Sequence, residues 1–149
     1  MIALDIDEGR RSTAKALGAD SVLDPRDGHA VEAIRDLTGG SGASMALETA
    51  GTAAAGEDAL NCVRSWGTVC LVGIGAELKF SLARMLRKQI RILPSWTMSI
   101  IAQKACADFV VEREINLDAL FTDRWSLDQA GEAYRKFNRQ SSGKGVILM

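Results

Sequence analysis

The sequence has few residues that bind metals and no excess of charge of either sign. Its 149 residues include three cysteines and one histidine, and no two cysteines form a C-x-x-C pair. Because a structural zinc site normally needs four closely spaced cysteine or histidine ligands, we expect none in this chain. The 18 basic and 19 acidic residues leave a formal net charge of -1. Neither nucleic acid nor an anionic membrane is therefore an expected partner.

Long apolar runs are also missing. No stretch approaches the ~18 apolar residues of a transmembrane helix, and the first residues lack the pattern of a secretory signal peptide. We therefore expect a cytoplasmic protein whose cysteines are reduced thiols. Hydrophobic residues make up 47% of the chain and charged residues 25%, as is typical of a globular domain.

The sequence does contain short apolar runs that alternate with helical patterns. The predicted strands are at 1–6, 20–25, 44–50, 67–75, 88–95 and 145–149. The predicted helices are at 8–17, 30–37, 52–64, 98–111 and 126–137, with Gly18 ending the first, Gly67 ending the third, and a capping box of Ser126 and Gln129 starting the last. This alternation predicts a doubly wound α/β fold with one open parallel sheet.

The residues that follow the predicted strands are the candidate ligand-binding residues, because ligands of such sheets lie across the carboxyl ends of the strands. Asp5 could accept both hydroxyls of an adenosine ribose, and its charge would repel the 2′-phosphate of NADP. Arg10 could reach the same ribose or Asp5 itself. The spacing supports an alternative equally well, in which Asp5 or Asp7 only caps the following helix.

Two other strand ends carry small residues. Thr49, Ala50 and Gly51 follow the third strand, where a flat ring could lie against the backbone, although tight turns also explain small residues. Backbone groups from Val72 through Gly73 to Ile74 could bind a polar edge such as a carboxamide, although glycines also let a chain leave a strand. The phosphate-binding turn G-x-G-x-x-G is absent, and no group suited to acid–base or metal catalysis is apparent.

Five segments, in order, resemble the C-terminal part of the zinc-dependent medium-chain alcohol and polyol dehydrogenases. They are ALDIDEGRRSTAKALGAD, ALETAG, GTVCLVGIG, IRILPSWTMS, and SLDQAGEAYRKF followed by GKGVIL. The resemblance implies a Rossmann-like fold that lacks its first strand and glycine-rich turn. It divides the chain into a partial dinucleotide-binding domain at 1–112 and a closing helix and strand at 113–149 that return toward an absent catalytic domain.

The resemblance also implies what the complete protein does. Its cofactor would be NAD, its zinc would be held only by the absent N-terminal part, and its substrate would be a small alcohol or polyol. Asp5 and Arg10 would bind the adenosine ribose, and Ile6 would cover the adenine. Residues 49–51 would line the ribose and nicotinamide side, the backbone of residues 72–74 would hold the carboxamide, and no catalytic residue would lie in this chain.

Three alternatives remain open from the sequence. One is a free-standing, non-catalytic fragment that dimerises. The second is a methyltransferase, which the closing helix and strand disfavour. The third is a zinc-free, NADPH-using reductase, which Asp5 disfavours.

The strand order 3-2-1-4-5-6 places the missing strand between the strands at 2–6 and 45–49. Those two strands could pair with each other, another chain could fill the gap, or the chain could fold poorly. The edge strand 89–95 predicts association into a homo-oligomer.

Overall fold

The computed structural model describes residues 1–75, 77–96, 100–139 and 143–149. Within these ranges, strands and α-helices alternate in this order: β1 (Ile2–Leu4), α1 (Glu8–Ala16), β2 (Ser21–Leu23), α2 (Ala30–Leu37), β3 (Ala43–Glu48), α3 (Ala53–Cys62), β4 (Val63–Leu71), α4 (Leu82–Lys88), β5 (Arg91–Pro94), α5 (Ile100–Glu112), β6 (Asp123–Ser126), α6 (Ala130–Phe137) and β7 (Gly145–Leu148). Single 3-10 turns lie at Pro25–Asp27, Leu117–Leu120 and Leu127–Gln129.

All paired strands run parallel, which confirms the α/β prediction, but they form three sheets. β1 pairs with β2, the strands β3, β4 and β5 pair in that order, and β6 pairs with β7. The prediction of one open sheet is therefore wrong for the described part of the chain. The strands joined by α1, α3, α4 and α6 pair with each other, whereas those joined by α2 and by α5 do not, and no described strand bridges β1 and β3. Of the three outcomes considered for these two strands, pairing with each other does not occur.

The sheet of β1 and β2 and the three-stranded sheet are joined by a layer of helices. Ile34 of α2 and Leu60 of α3 lie in one buried cluster with Val69 of β4. Ile2 of β1 packs against this cluster from the first sheet, and Ala46 of β3 packs against it from the second. Burial of apolar surface between α2, α3 and both sheets therefore holds this part of the molecule together.

The helix boundaries follow the local chemistry of the sequence. Asp7 is the N-cap of α1, and its carboxylate accepts a hydrogen bond from the Arg10 amide at 2.8 Å. Gly18 ends that helix region with a φ of 103°, as predicted. Gln129 Oε1 accepts hydrogen bonds from the Ser126 amide and hydroxyl at 3.1 Å each, within the predicted capping box.

The boundary between α3 and β4 differs from the prediction. The helix ends at Cys62 rather than at residue 64, and β4 covers Val63–Leu71 rather than 67–75. Gly67 therefore lies inside a strand and does not end a helix. The ladder between β3 and β4 shifts register between Ala43 and Met45, and Trp66 has a φ of 63°. This bulge lets β4 begin four residues earlier than predicted. The early start was not predicted, because the helical pattern of the sequence continues to residue 64.

Two elements of the structure have no counterpart in the sequence prediction. Helix α4 forms where the basic residues indicate a solvated surface, because its one buried residue, Met85, packs into the core. Strand β6 is short and half-exposed, and it is ordered by pairing with β7. The predicted helix 98–111 corresponds to α5, but its first two residues lie outside the described ranges. None of the described helices is long and apolar enough to cross a membrane.

Candidate functional site

Eight of the nine predicted ligand-binding residues lie just beyond the carboxyl ends of three strands, and Arg10 lies in the first turn of α1. Asp5 and Ile6 follow β1, residues 49–51 follow β3, and residues 72–74 follow β4. Because Glu48 of β3 pairs with Leu71 of β4 in parallel register, residues 49–51 and residues 72–74 lie side by side. The structure thus divides the predicted site into one cluster after β1 and another after β3 and β4. Among the described residues, no hydrogen bond or ion pair joins the two clusters.

The two aspartates of the first cluster have different hydrogen-bond partners. Asp7 caps α1, whereas Asp5 does not cap the helix. Instead, Asp5 Oδ1 accepts a hydrogen bond from the Asp7 amide at 2.8 Å and lies 3.2 Å from Arg10 Nε. The Asp5 side chain keeps 33% of its surface exposed. Asp5 is therefore a partly exposed carboxylate with a fixed orientation, and Arg10 contacts it as the spacing allowed.

Two charged residues of this cluster were not found from the sequence. Arg11 Nη1 donates to the main-chain oxygen of Asp5 at 2.7 Å and lies 3.0 Å from Asp24 Oδ2. Hydrogen bonds from Arg26, together with the charge of Arg11, hold the pKa of the Asp24 carboxyl well below its usual range. Arg11 thus connects the end of β1 with the end of β2. The available signal was the position of Asp24, which directly follows a predicted strand as Asp5 does.

Glu48 organises the second cluster and was also missed. It is the last residue of β3 and is only 7% exposed. Its Oε1 accepts hydrogen bonds from the amides of Ala50 and Gly51 at 2.8 Å each. Its main-chain oxygen accepts from the amides of Val72 at 2.8 Å and Gly73 at 3.1 Å. An acid within an apolar strand, followed by three small residues, was the signal in the sequence.

The glycines of this cluster are required by close packing between the two segments. Gly51 has a φ of 67°, and a Cβ atom there would lie 2.4 Å from the Ile74 carbonyl oxygen. A Cβ atom on Gly73 would lie 2.1 Å from the Gly51 amide nitrogen. Both distances are far below van der Waals contact, so neither position accepts a side chain without movement of the backbone. Close packing of the backbone therefore accounts for these glycines, whether or not a ligand is bound.

Apolar side chains stand exposed around the two clusters. Ile6 is 55% exposed beside Asp5, and Ile74 is 72% exposed beyond β4. Val72 is also exposed. The arrangement combines an oriented carboxylate, backbone groups and apolar contacts, which suits a ligand with hydroxyl groups and flat rings.

Metal ligands do not come together in the described residues. No group of three or more histidine, cysteine, aspartate and glutamate side chains there could hold a metal ion. All three cysteines lie in this described part and are free thiols, and Cys62 is buried. Burial raises the pKa of the Cys62 thiol, which disfavours the thiolate that binds metals.

Comparison with known protein families identifies the family of this chain. Residues 1–112 match the model of the zinc-binding dehydrogenases, and the chain belongs to this family. The predicted resemblance to the C-terminal portion of medium-chain alcohol and polyol dehydrogenases is thereby confirmed.

Two relatives illustrate the match in sequence. An uncharacterized zinc-type alcohol dehydrogenase-like protein of Escherichia coli is 33% identical over 150 residues, which cover 99% of this chain and 42% of that protein. A sorbitol dehydrogenase of Halalkalibacterium halodurans is 26% identical over 148 residues, which cover 98% of this chain and 42% of that protein. The chain thus spans 42% of the length of each of these relatives.

Solved structures share the fold. The alcohol dehydrogenase of Thermus sp. ATN1 superposes with a TM-score of 0.90 at 24% identity, over 99% of this chain and 43% of that one. The crystal structure of an NAD-dependent alcohol dehydrogenase gives a TM-score of 0.84 at 25% identity, again over 99% and 43% of the two chains. The strands and helices described above are therefore arranged as in these dehydrogenases.

Proposed function

We propose that this chain is the nucleotide-binding portion of an NAD-dependent, zinc-type alcohol or polyol dehydrogenase. The observation that carries the proposal is the position and the contacts of the Asp5 carboxylate. It follows a parallel strand and contacts the Asp7 amide and Arg10. It does not cap the following helix, because Asp7 is the N-cap. A carboxylate at that place in a doubly wound, Rossmann-like sheet binds the ribose hydroxyls of NAD and repels a 2′-phosphate.

The remaining residues of the proposed site take roles that fit their surroundings. Ile6 is exposed beside Asp5 and would cover the adenine. Thr49, Ala50 and Gly51 would line the ribose and nicotinamide side. The backbone of residues 72–74 would hold the carboxamide, since Gly73 and its neighbours present main-chain groups with little side-chain bulk.

The catalytic chemistry would lie largely outside these residues. Because the described residues bring no metal ligands together, they do not fit a zinc ion. We assign zinc and the contacts to the alcohol or polyol substrate to the N-terminal part of the complete enzyme. Bound NAD would accept the hydride there, and the role of this chain would be to bind and orient it.

The organisation of the chain is part of the same proposal. Residues 1–112 would form the partial nucleotide-binding domain, and residues 113–149 would return toward the catalytic domain. Three free thiols suit a reducing cytoplasm. In the described structure, β5 pairs with β4 on one edge only. The segment 89–95 would pair with its counterpart in a homo-oligomer through the other edge.

Calorimetric titration of the purified chain with NAD, and separately with NADP, tests the proposal. We expect saturable binding of NAD and much weaker binding of NADP, because the 2′-phosphate would meet the Asp5 carboxylate. Circular dichroism on the same sample establishes that the chain is folded. A folded chain that does not bind NAD contradicts the proposal, and dimers of such a chain in sedimentation equilibrium would support the non-catalytic alternative.

A matched pair of variants tests the role of Asp5. Asp5→Ala should weaken NAD binding by about tenfold or more, since the charge-assisted bonds to the ribose hydroxyls are lost. Asp7→Ala is the control, because it removes a carboxylate from the same loop. It should lower the free energy of unfolding by about 0.5–2 kcal/mol through loss of the N-cap and leave the affinity largely unchanged. Equal affinities of wild type and Asp5→Ala would rule out the ribose contact.

A further inference from the structure

Glu48 connects the two backbone segments of the second cluster. It is the one polar or charged residue that is buried among the described residues. Through Oε1 it holds the amides of Ala50 and Gly51, and through its main-chain oxygen it holds those of Val72 and Gly73. A single residue thus accepts hydrogen bonds from two consecutive amides beyond β3 and from two consecutive amides beyond β4.

The buried carboxylate of Glu48 needs hydrogen bonds that offset the loss of its hydration. Removing a carboxylate from water is costly unless hydrogen bonds replace the lost hydration. The two amides at 2.8 Å supply such bonds, and a charged acceptor makes them stronger than bonds to a neutral one. Because two consecutive amides share one oxygen atom, the peptide planes at Ala50 and Gly51 have a fixed orientation.

The other oxygen of the Glu48 carboxylate, Oε2, is packed against the backbone at Gly73. A Cβ atom on Gly73 would lie 2.6 Å from Glu48 Oε2 and 2.1 Å from the Gly51 nitrogen. The carboxylate, Gly51 and Gly73 are therefore in mutual contact. Any shift of the Glu48 side chain would displace both segments together, because neither glycine leaves free space.

We infer that Glu48 is a positioning residue for dinucleotide binding, which acts through the backbone of residues 49–51 and 72–74 without touching the ligand. The inference rests on the proposed function, because it assigns these two segments to the cofactor. Glu48 sets the direction of their peptide groups before the ligand arrives. Binding energy is then not spent on ordering two loops.

Three substitutions separate the reach of the side chain from its charge. Glu48→Ala removes the acceptor, Glu48→Gln keeps an oxygen at the same distance without the charge, and Glu48→Asp keeps the charge on a side chain one carbon shorter. We expect Glu48→Ala and Glu48→Asp to weaken NAD binding by about tenfold, and Glu48→Gln to bind within about threefold of wild type. Val69→Ala in β4 is the control, because Val69 is fully buried but lies before the strand end.

Hydrogen exchange gives a second readout that does not need a ligand. In Glu48→Ala and Glu48→Asp, the amides of Ala50 and Gly51 should lose protection, while the amides of the β3–β4 ladder keep theirs. Val69→Ala should show the reverse pattern, with a weakened ladder and little selective loss at Ala50 and Gly51. If Glu48→Ala does not fold, the comparison of Glu48→Gln with Glu48→Asp decides by the same two measurements.

The outcomes distinguish this inference from the proposed function. If wild type binds no NAD but exchange changes as expected, the proposed function fails, and so does the assignment of these loops to a dinucleotide. If NAD binds and Glu48→Asp equals wild type in both affinity and exchange, only the positioning role fails. The positioning role also fails if Val69→Ala reduces affinity as much as Glu48→Ala does at equal loss of stability.

Discussion

The ammonium nitrogen of Lys88 lies 2.7 Å from the main-chain oxygen of Val63, where α3 ends and β4 begins. The same nitrogen lies 2.9 Å from the main-chain oxygen of Asn61. The last carbonyl groups of a helix have no amide partners of their own, and here a lysine from α4 supplies the donors. Burial, with Arg35 nearby, lowers the pKa of Lys88. The hydrogen bonds therefore hold a partly desolvated charge.

Lys88→Met should destabilise the chain. The methionine keeps much of the apolar stem but donates no hydrogen bond, so we expect a loss of about 1–3 kcal/mol in the free energy of unfolding. Urea denaturation followed by circular dichroism measures it. Arg87→Met on the same helix is the control, because Arg87 is exposed. Equal effects of the two substitutions would mean that the carbonyl contacts of Lys88 contribute nothing.

Asp24→Asn should change how stability depends on pH in acid. The pKa of Asp24 lies below its ordinary value of 3.8 in the folded chain, first because of hydrogen bonds from Arg26. The unfolded state therefore binds more protons in this range, and the stabilisation by Asp24 is present above about pH 4 and lost as pH falls. Asp24→Asn should be less stable than wild type near neutral pH, and the difference should shrink on acidification. Urea midpoints over an acid pH series measure it, and a constant difference would contradict the expectation.

Asp58→Asn should change stability near neutral pH in the opposite direction from Asp24→Asn. Burial raises the pKa of Asp58 above its ordinary value of 3.8, and the charges of Glu57 and Glu32 raise it further. The folded state then binds more protons than the unfolded state, so ionised Asp58 opposes folding near neutral pH. We expect the variant to be more stable than wild type at neutral pH and to lose this advantage below about pH 4. Urea midpoints at both pH values measure the difference, and a destabilised variant at neutral pH would show that Asp58 makes a favourable contact that outweighs the repulsion.

Gly73→Ala should disturb the contact between the ends of β3 and β4. Because its Cβ would lie 2.1 Å from the Gly51 nitrogen, the backbone must move, and we expect a loss of about 1–3 kcal/mol. Gly131→Ala is the matched control in α6, where the nearest atom would be 3.5 Å away. There, alanine should stabilise by about 0.5–1 kcal/mol, as expected inside a helix. Thermal unfolding of both variants checks the contrast in sign.

The sequence predicted elements well where the signal was local. The bounds of α2 match the prediction at both ends, because its apolar spacing and the glycines after it are features of adjacent residues. Gly18 and the Ser126–Gln129 pair act as predicted for the same reason. Each of these features depends on hydrogen bonds or dihedral angles within one or two turns of chain.

Features that depend on distant residues were not predictable in this way. The early start of β4 depends on pairing of Val63 with Ala43, and the position of Lys88 depends on the end of α3. The division into separate sheets depends on which strands are available to pair. In the site, the sequence shows an acid before three small residues, but the hydrogen bonds of Glu48 to the amides of Ala50 and Gly51 depend on the path of the backbone beyond β3. The roles assigned to the nine predicted cofactor residues, including Asp5 and Gly51, stay predictions.

The helix layer between the sheet of β1 and β2 and the three-stranded sheet has a consequence for affinity. The cluster after β1 and the cluster after β3 and β4 sit on sheets that are joined through α2 and α3 rather than by a shared strand. For a ligand that reaches both, the second contact is intramolecular, and its strength depends on the effective concentration that this layer imposes. Loosening the layer at Ile34 would thus weaken a dinucleotide far more than a mononucleotide that touches Asp5 alone. If the proposed site binds a dinucleotide, the packing of α2 on α3 would set its avidity.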